Sequence, residues 1–129
     1  MWGPGRKMAF GAAPGSKSKL WYTLVDGALS EVFFPFLDRV ALHELRFFAS
    51  AGGAPPVDDS ADGEHRIAWL SPGVPAFTVD STHHEYRLTK EFFSDPDENA
   101  LLIAATFTPE LPDVRLYMQA TAHWQPGTE

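Results

Sequence analysis

The stretch that most constrains the fold is Lys19 to Pro35, KLWYTLVDGALSEVFFP. Apolar and β-favouring residues occupy both faces of Lys19 to Val25, and again of Ala28 to Phe34. Asp26-Gly27 separates the two runs. A two-residue type I′ turn needs φ > 0 at both of its positions, and Asp-Gly accepts that at little steric cost. Pro35 lacks a backbone donor and closes the second run. The pattern predicts a β-hairpin turning at Asp26-Gly27.

The rest of the chain has the same character. Eleven Pro and ten Gly among 129 residues divide it into short elements. Glu44 to Ala49 reads as a strand, although Leu42, Leu45 and Ala49 also have helical spacing. Ala51 to Gly63 is a surface loop by composition, and Ser71-Pro72-Gly73 is a turn. Arg66 to Leu70 is a short strand. Ala76 to Ser81 and Glu85 to Phe93 form a second hairpin around Thr82 to His84. In its second arm Tyr86, Leu88 and Phe92 share a face with Lys90. Asn99 to Thr108 is almost continuously apolar, as expected of a central strand buried on both faces. Val114 to Ala122 alternates.

About seven or eight short strands make an all-β chain, an antiparallel β-sandwich. Residues 1–18 read as an irregular lead-in with a short strand at Lys7 to Ala12. Residues 19–122 form the sandwich domain, and residues 123–129 a frayed tail.

A formal net charge of −7 argues against non-specific nucleic-acid or anionic-membrane binding, which need a basic footprint. It suits a neutral partner such as a glycan. The absence of cysteine excludes disulfides and thiol chemistry. Arg6 and Lys7 are followed by no apolar run, so the start is not a signal peptide. Cytoplasmic and secreted locations both stay open. No stretch approaches the ~20 apolar residues of a membrane helix.

Four features carry candidate chemistry. Glu31 lies inside an apolar strand. An edge position, a domain interface or an ion pair explains it better than catalysis, because glycoside hydrolysis needs two facing carboxyl groups. Asp58, Ser60, Asp62 and Gly63 match the opening of a calcium loop, but Trp69 stands where the bidentate acid belongs. The loop therefore reads as solvated, with calcium the one cofactor it raises. His83-His84, near Asp80 and Glu85, resembles a metal cluster in composition. Adjacent side chains in an extended segment point to opposite faces, so no metal is expected there. Finally, Trp21, Tyr22 and Trp69, with Tyr86 and Tyr117, offer rings on which sugars could stack. The ordinary alternative is that most of them fill the core.

These residues, taken in order, resemble the N-terminal β-domain of bacterial and archaeal family 15 glycoside hydrolases, the glucoamylases and glucodextranases. Gly5-Arg6-Lys7 with Gly11-Ala12-Ala13 is similar to the family's K-x-x-x-G-T-A opening, with Ala12 replacing the usual Thr. Ser18 to Thr23 is similar to its S-K-V-W-F-T strand. Gly27 to Pro35 is similar to its G-x-x-x-E-V-Y-Y-P strand, and Asp38 follows in place. Leu45-Arg46-Phe47, Tyr86 to Lys90, Ser94-Asp95-Pro96 and Leu101 to Ile103 match later pieces. His83-His84 departs from the glycine usual in that turn.

The resemblance implies part of a galactose-mutarotase-like supersandwich. It implies an accessory segment of an inverting hydrolase of α-glucans, packed against an (α/α)6 catalytic barrel. The family's catalytic glutamates lie in that barrel, so none is assigned here. A stand-alone carbohydrate-binding module and a small mutarotase-like sugar enzyme are the alternatives.

Overall fold

The computed structural model describes residues 9–12, 18–35, 39–61, 63–70 and 76–122. The Ser71-Pro72-Gly73 turn, Lys7 of the first strand, Asp62 and the tail from His123 lie outside these residues. Ten strands follow in order: β1 Ala9–Ala12, β2 Trp21–Val25, β3 Ala28–Phe33, β4 Val40–Ala51, β5 Val57–Asp58, β6 Glu64–Trp69, β7 Phe77–Thr82, β8 Tyr86–Ser94, β9 Leu101–Pro109 and β10 Val114–Ala122. A 3-10 turn, Asp59–Ala61, follows β5.

The strands form two antiparallel sheets. The first has the order β1-β2-β3-β4-β10, with β5 beside β4. The second has the order β6-β7-β8-β9. Leu20, Tyr22, Leu24, Leu29, Val32, Leu45 and Phe47 of the first sheet and its approach pack on Phe77, Val79, Tyr86, Leu88 and Phe92 of the second. The sheet begins at β1, within the short strand expected at Lys7 to Ala12.

The hairpin turns where expected. Asp26 and Gly27 have φ of 49° and 80°, and β2 pairs with β3 across them. A Cβ on Gly27 would lie 3.2 Å from Val79 Cγ1. Gly27→Val therefore meets both a crowded neighbour and a backbone that β-branched residues resist. A loss of about 1–3 kcal/mol is expected in urea denaturation. A loss within about 0.5 kcal/mol, the range of ordinary surface changes, would show that this turn tolerates side chains.

The helical spacing of Leu42 and Leu45 has a β explanation. Leu45 pairs with Leu29, and Leu42 with Val32, two residues intervening on each strand. On the flanking strands only Thr23 intervenes between Tyr22 and Leu24, and only Thr121 between Ala120 and Ala122. β3 and β4 thus each carry an extra residue side by side, a bulge that returns both leucines of β4 to the core face. An i, i+3 spacing arises here without a helix.

Asn99 to Thr108 departs from the expectation of a central strand. β9 is an edge strand, paired with β8 alone among the described residues. Leu101, Ile103 and Phe107 turn towards the core, while Leu102 is exposed. β10 is one edge of the other sheet among the described residues, and its Met118 is 62% exposed. An apolar run reports how much surface a strand can bury, not whether this chain supplies the cover.

Candidate functional site

The acidic loop is built in rather than solvated. β5 extends beside β4, with Asp58 opposite Phe48. Phe47 and Ala49 belong to the core, so Phe48 and Asp58 face away from it. There Asp58 accepts from Arg46 Nη1 at 2.5 Å, and from the Ser60 amide and hydroxyl at 2.9 and 2.8 Å. Arg46 Nε donates to Glu44 at 2.7 Å. Asp59, the next residue, enters the opposite side and is buried. Two consecutive carboxylates thus point to opposite sides of the first sheet, Asp58 outwards to Arg46 and Asp59 inwards to the second sheet.

Asp59 is the centre of a buried polar cluster. Its Oδ1 accepts from the Tyr86 hydroxyl at 2.8 Å and lies 2.8 Å from His83 Nε2. Its Oδ2 pairs with Lys90 Nζ at 3.2 Å. Lys90 is itself buried, donates to the Gly27 carbonyl at 2.6 Å and lies 5.5 Å from the Phe47 ring centroid. His83 stacks on Tyr86 at 4.4 Å, and His65 Nδ1 lies 2.9 Å from the Ser81 hydroxyl. The cluster therefore ties the loop to the second sheet and to the turn of the first hairpin.

Burial alone would raise the Asp59 carboxyl. The Lys90 charge and the hydrogen bonds from Tyr86, Lys90 and Ser81 outweigh it and hold the group below its ordinary value. For Lys90, desolvation wins over the pull of Asp59, and its pKa is lowered. The two shifts are not mirror images, because Asp59 collects several donors whereas Lys90 faces one carboxylate and a carbonyl. Burial, then the bond to Asp59, raises the Tyr86 hydroxyl. Asp58 is lowered because its bonds to Ser60 and Arg46 exceed the opposing effect of burial.

The candidates from sequence are placed apart. Tyr22 is fully buried, and its hydroxyl donates to the Phe92 carbonyl at 3.1 Å, so it offers no ring to a sugar. Trp21 is half-buried on β2, opposite Phe33 and Ala12. Trp69, at the end of β6 in the other sheet, is 58% exposed and rests on Phe77 with ring centroids 4.9 Å apart. Glu31 is not at an edge. β3 has strands on both sides, and Glu31 is buried opposite Thr23, on the face away from the core. His83 and His84 separate as expected, His83 onto Asp59 and His84 into solvent.

Sequence reasoning missed Asp59, although its signal was visible. A lysine on the apolar face of an alternating strand requires a buried carboxylate, and Lys90 stands on that face with Tyr86, Leu88 and Phe92.

The sequence model of the family described as glucodextranase, domain N, matches residues 1–128. The chain belongs to this family. A glucoamylase of Clostridium sp. (strain G0005) is 29% identical to this domain N over 127 residues, 95% of the chain and 18% of the relative. The crystal structure of a bacterial glucoamylase complexed with acarbose superposes on domain N with a TM-score of 0.84 at 29% identity. That match covers 91% of this chain and 18% of the other. The chain thus spans less than a fifth of the length of either relative.

Proposed function

We propose that this chain acts as an accessory β-sandwich segment of a glucoamylase-like hydrolase of α-glucans. In this reading it packs against an (α/α)6 catalytic barrel of the same polypeptide and supports it. The observation that carries the reading is the match of nearly the whole chain to domain N, together with relatives of which it spans only 18%. The exposed edges β9 and β10 agree with it, because uncovered apolar strands need a covering partner. Calcium has no part in the proposal, since Asp58 is engaged by Arg46 and Ser60.

The test is complementation. The Clostridium glucoamylase is expressed without the segment that matches this chain, and the chain is supplied separately. Restored thermal stability and co-elution support the reading. Absence of any association at high concentration overturns it.

The chain alone is expected to release no glucose from maltose, soluble starch or dextran. Inverting hydrolysis needs a general acid and a general base facing each other across the substrate. Glu31, the carboxylate singled out by sequence, is buried and cannot reach a sugar. Glucose release that disappears in Glu31→Gln would contradict this and make the chain an enzyme.

A further inference from the structure

The outer face of the first sheet, across β4 and β10, carries a combination of groups that the buried Asp59 cluster does not explain. Tyr117 stands directly across from Phe48. Arg115 and Gln119 flank Tyr117 on β10, while Arg46 and Ser50 flank Phe48 on β4. Tyr117 is 46% exposed. Arg46 also lines a cleft of about 280 Å³, together with Ser30, His43, Glu44 and Ser60 among others. Arg46 is shared by both features. Its guanidinium is fixed by Glu44 and Asp58, yet Arg46 Nη2 and Glu44 Oε1 take part in no hydrogen bond among the described residues.

We infer that this face binds a neutral polyhydroxyl ligand, an α-glucan chain, with Tyr117 as the stacking platform and Arg46, Glu44 and Gln119 as hydrogen-bonding partners. A sugar ring presents an apolar C–H face and a rim of hydroxyls that both donate and accept. The half-exposed Tyr117 ring fits the first, and a held guanidinium beside a carboxylate fits the second. Charge narrows the choice. Glu44 and Asp58 together outweigh the Arg46 charge they pair with, and in a chain of net charge −7 they repel a polyanion. A purely apolar segment would take water from the polar groups around Tyr117 and give them no partners in return. The choice of an α-glucan among neutral polyhydroxyl ligands rests on the function proposed above. The surface chemistry does not.

The test is native electrophoresis of the purified chain through gels containing soluble starch, with calorimetric titration of maltoheptaose. The wild type is expected to be retarded, and Tyr117→Ala to lose about tenfold in affinity, the scale of one aromatic contact. Tyr117→Phe retains binding, and Leu102→Ala, altered at an exposed position of the other sheet, binds as wild type. Tyr117 is half-exposed on an edge strand, so its removal leaves the core intact, which circular dichroism checks. No retardation of the wild type, or full retardation of folded Tyr117→Ala, overturns the inference. Equal retardation by a polyanionic polysaccharide does so too. If Tyr117→Ala abolishes complementation instead of starch binding, the face belongs to a protein partner and the inference falls. Starch binding without complementation would sink the accessory role and leave this surface standing.

Discussion

Asp59→Ala is expected to cost about 3–5 kcal/mol, the range for removing one partner of a buried ion pair. That is a large share of the ~5–15 kcal/mol that holds a domain of this kind together. The cost arises from what remains. Lys90 stays buried with one carbonyl, Gly27, and no counter-charge. Tyr86 and His83 lose the oxygen they share. The loop also loses its attachment to the second sheet. Urea denaturation should show a lowered midpoint with an unchanged slope. Removing the stranded charge as well, in Asp59→Ala with Lys90→Met, should recover part of the loss. A double variant no better than the single one would assign the cost to loop packing instead.

The same cluster predicts an acid limb. Asp59 and Asp58 are both held below the ordinary carboxylate value in the folded chain. In the unfolded chain they titrate near that value, about 4. The unfolded state therefore binds more protons as the solution is acidified, and stability falls. The contribution is fully present above the ordinary value and is lost as pH drops through the lowered ones. Asp59→Ala should flatten this limb, leaving the part that Asp58 supplies through Arg46.

Much of the fold could be read from local rules. Asp26-Gly27 announced its turn because few dipeptides accept two positive φ angles, and Val114 to Ala122 announced its strand by alternation. What escaped was non-local. The spacing of Leu42 and Leu45 was ambiguous because a bulge imitates one helical turn, and only the partner strands tell the two apart. Asn99 to Thr108 looked central because its composition suits burial on both faces, whereas β9 pairs with β8 alone among the described residues. Asp59 looked solvated among acids, small residues and prolines, since nothing local shows that it pairs with Lys90, 31 residues away. Among sugar-stacking candidates, Tyr22 and Tyr117 are equivalent in sequence. Strand register separates them, burying the first and exposing the second.

Gly11→Ala should be nearly as damaging, at about 1–3 kcal/mol for overpacking. A further ~1 kcal/mol is lost if the Tyr22 hydroxyl is driven off Phe92. The family resemblance places this glycine in the opening motif and Tyr22 at the aromatic position of the next piece. The structure brings them face to face, for Gly11 pairs with Tyr22 across β1 and β2. A Cβ on Gly11 would lie 2.5 Å from the Tyr22 hydroxyl oxygen and closer still to the ring carbons. The ring has nowhere to go. It is fully buried, tethered to the Phe92 carbonyl, and set edge-on against Phe77 at 6.3 Å. The glycine is thus required for space, and the tyrosine covers a backbone that has no side chain of its own. A double-mutant cycle separates this from a general weakness of an edge strand. Tyr22→Ala alone removes a core aromatic and should cost about 3–5 kcal/mol. In that background Gly11→Ala should cost little, because the ring it would strike is gone. Additive losses would show that the two residues act independently, and would remove the packing explanation for the motif.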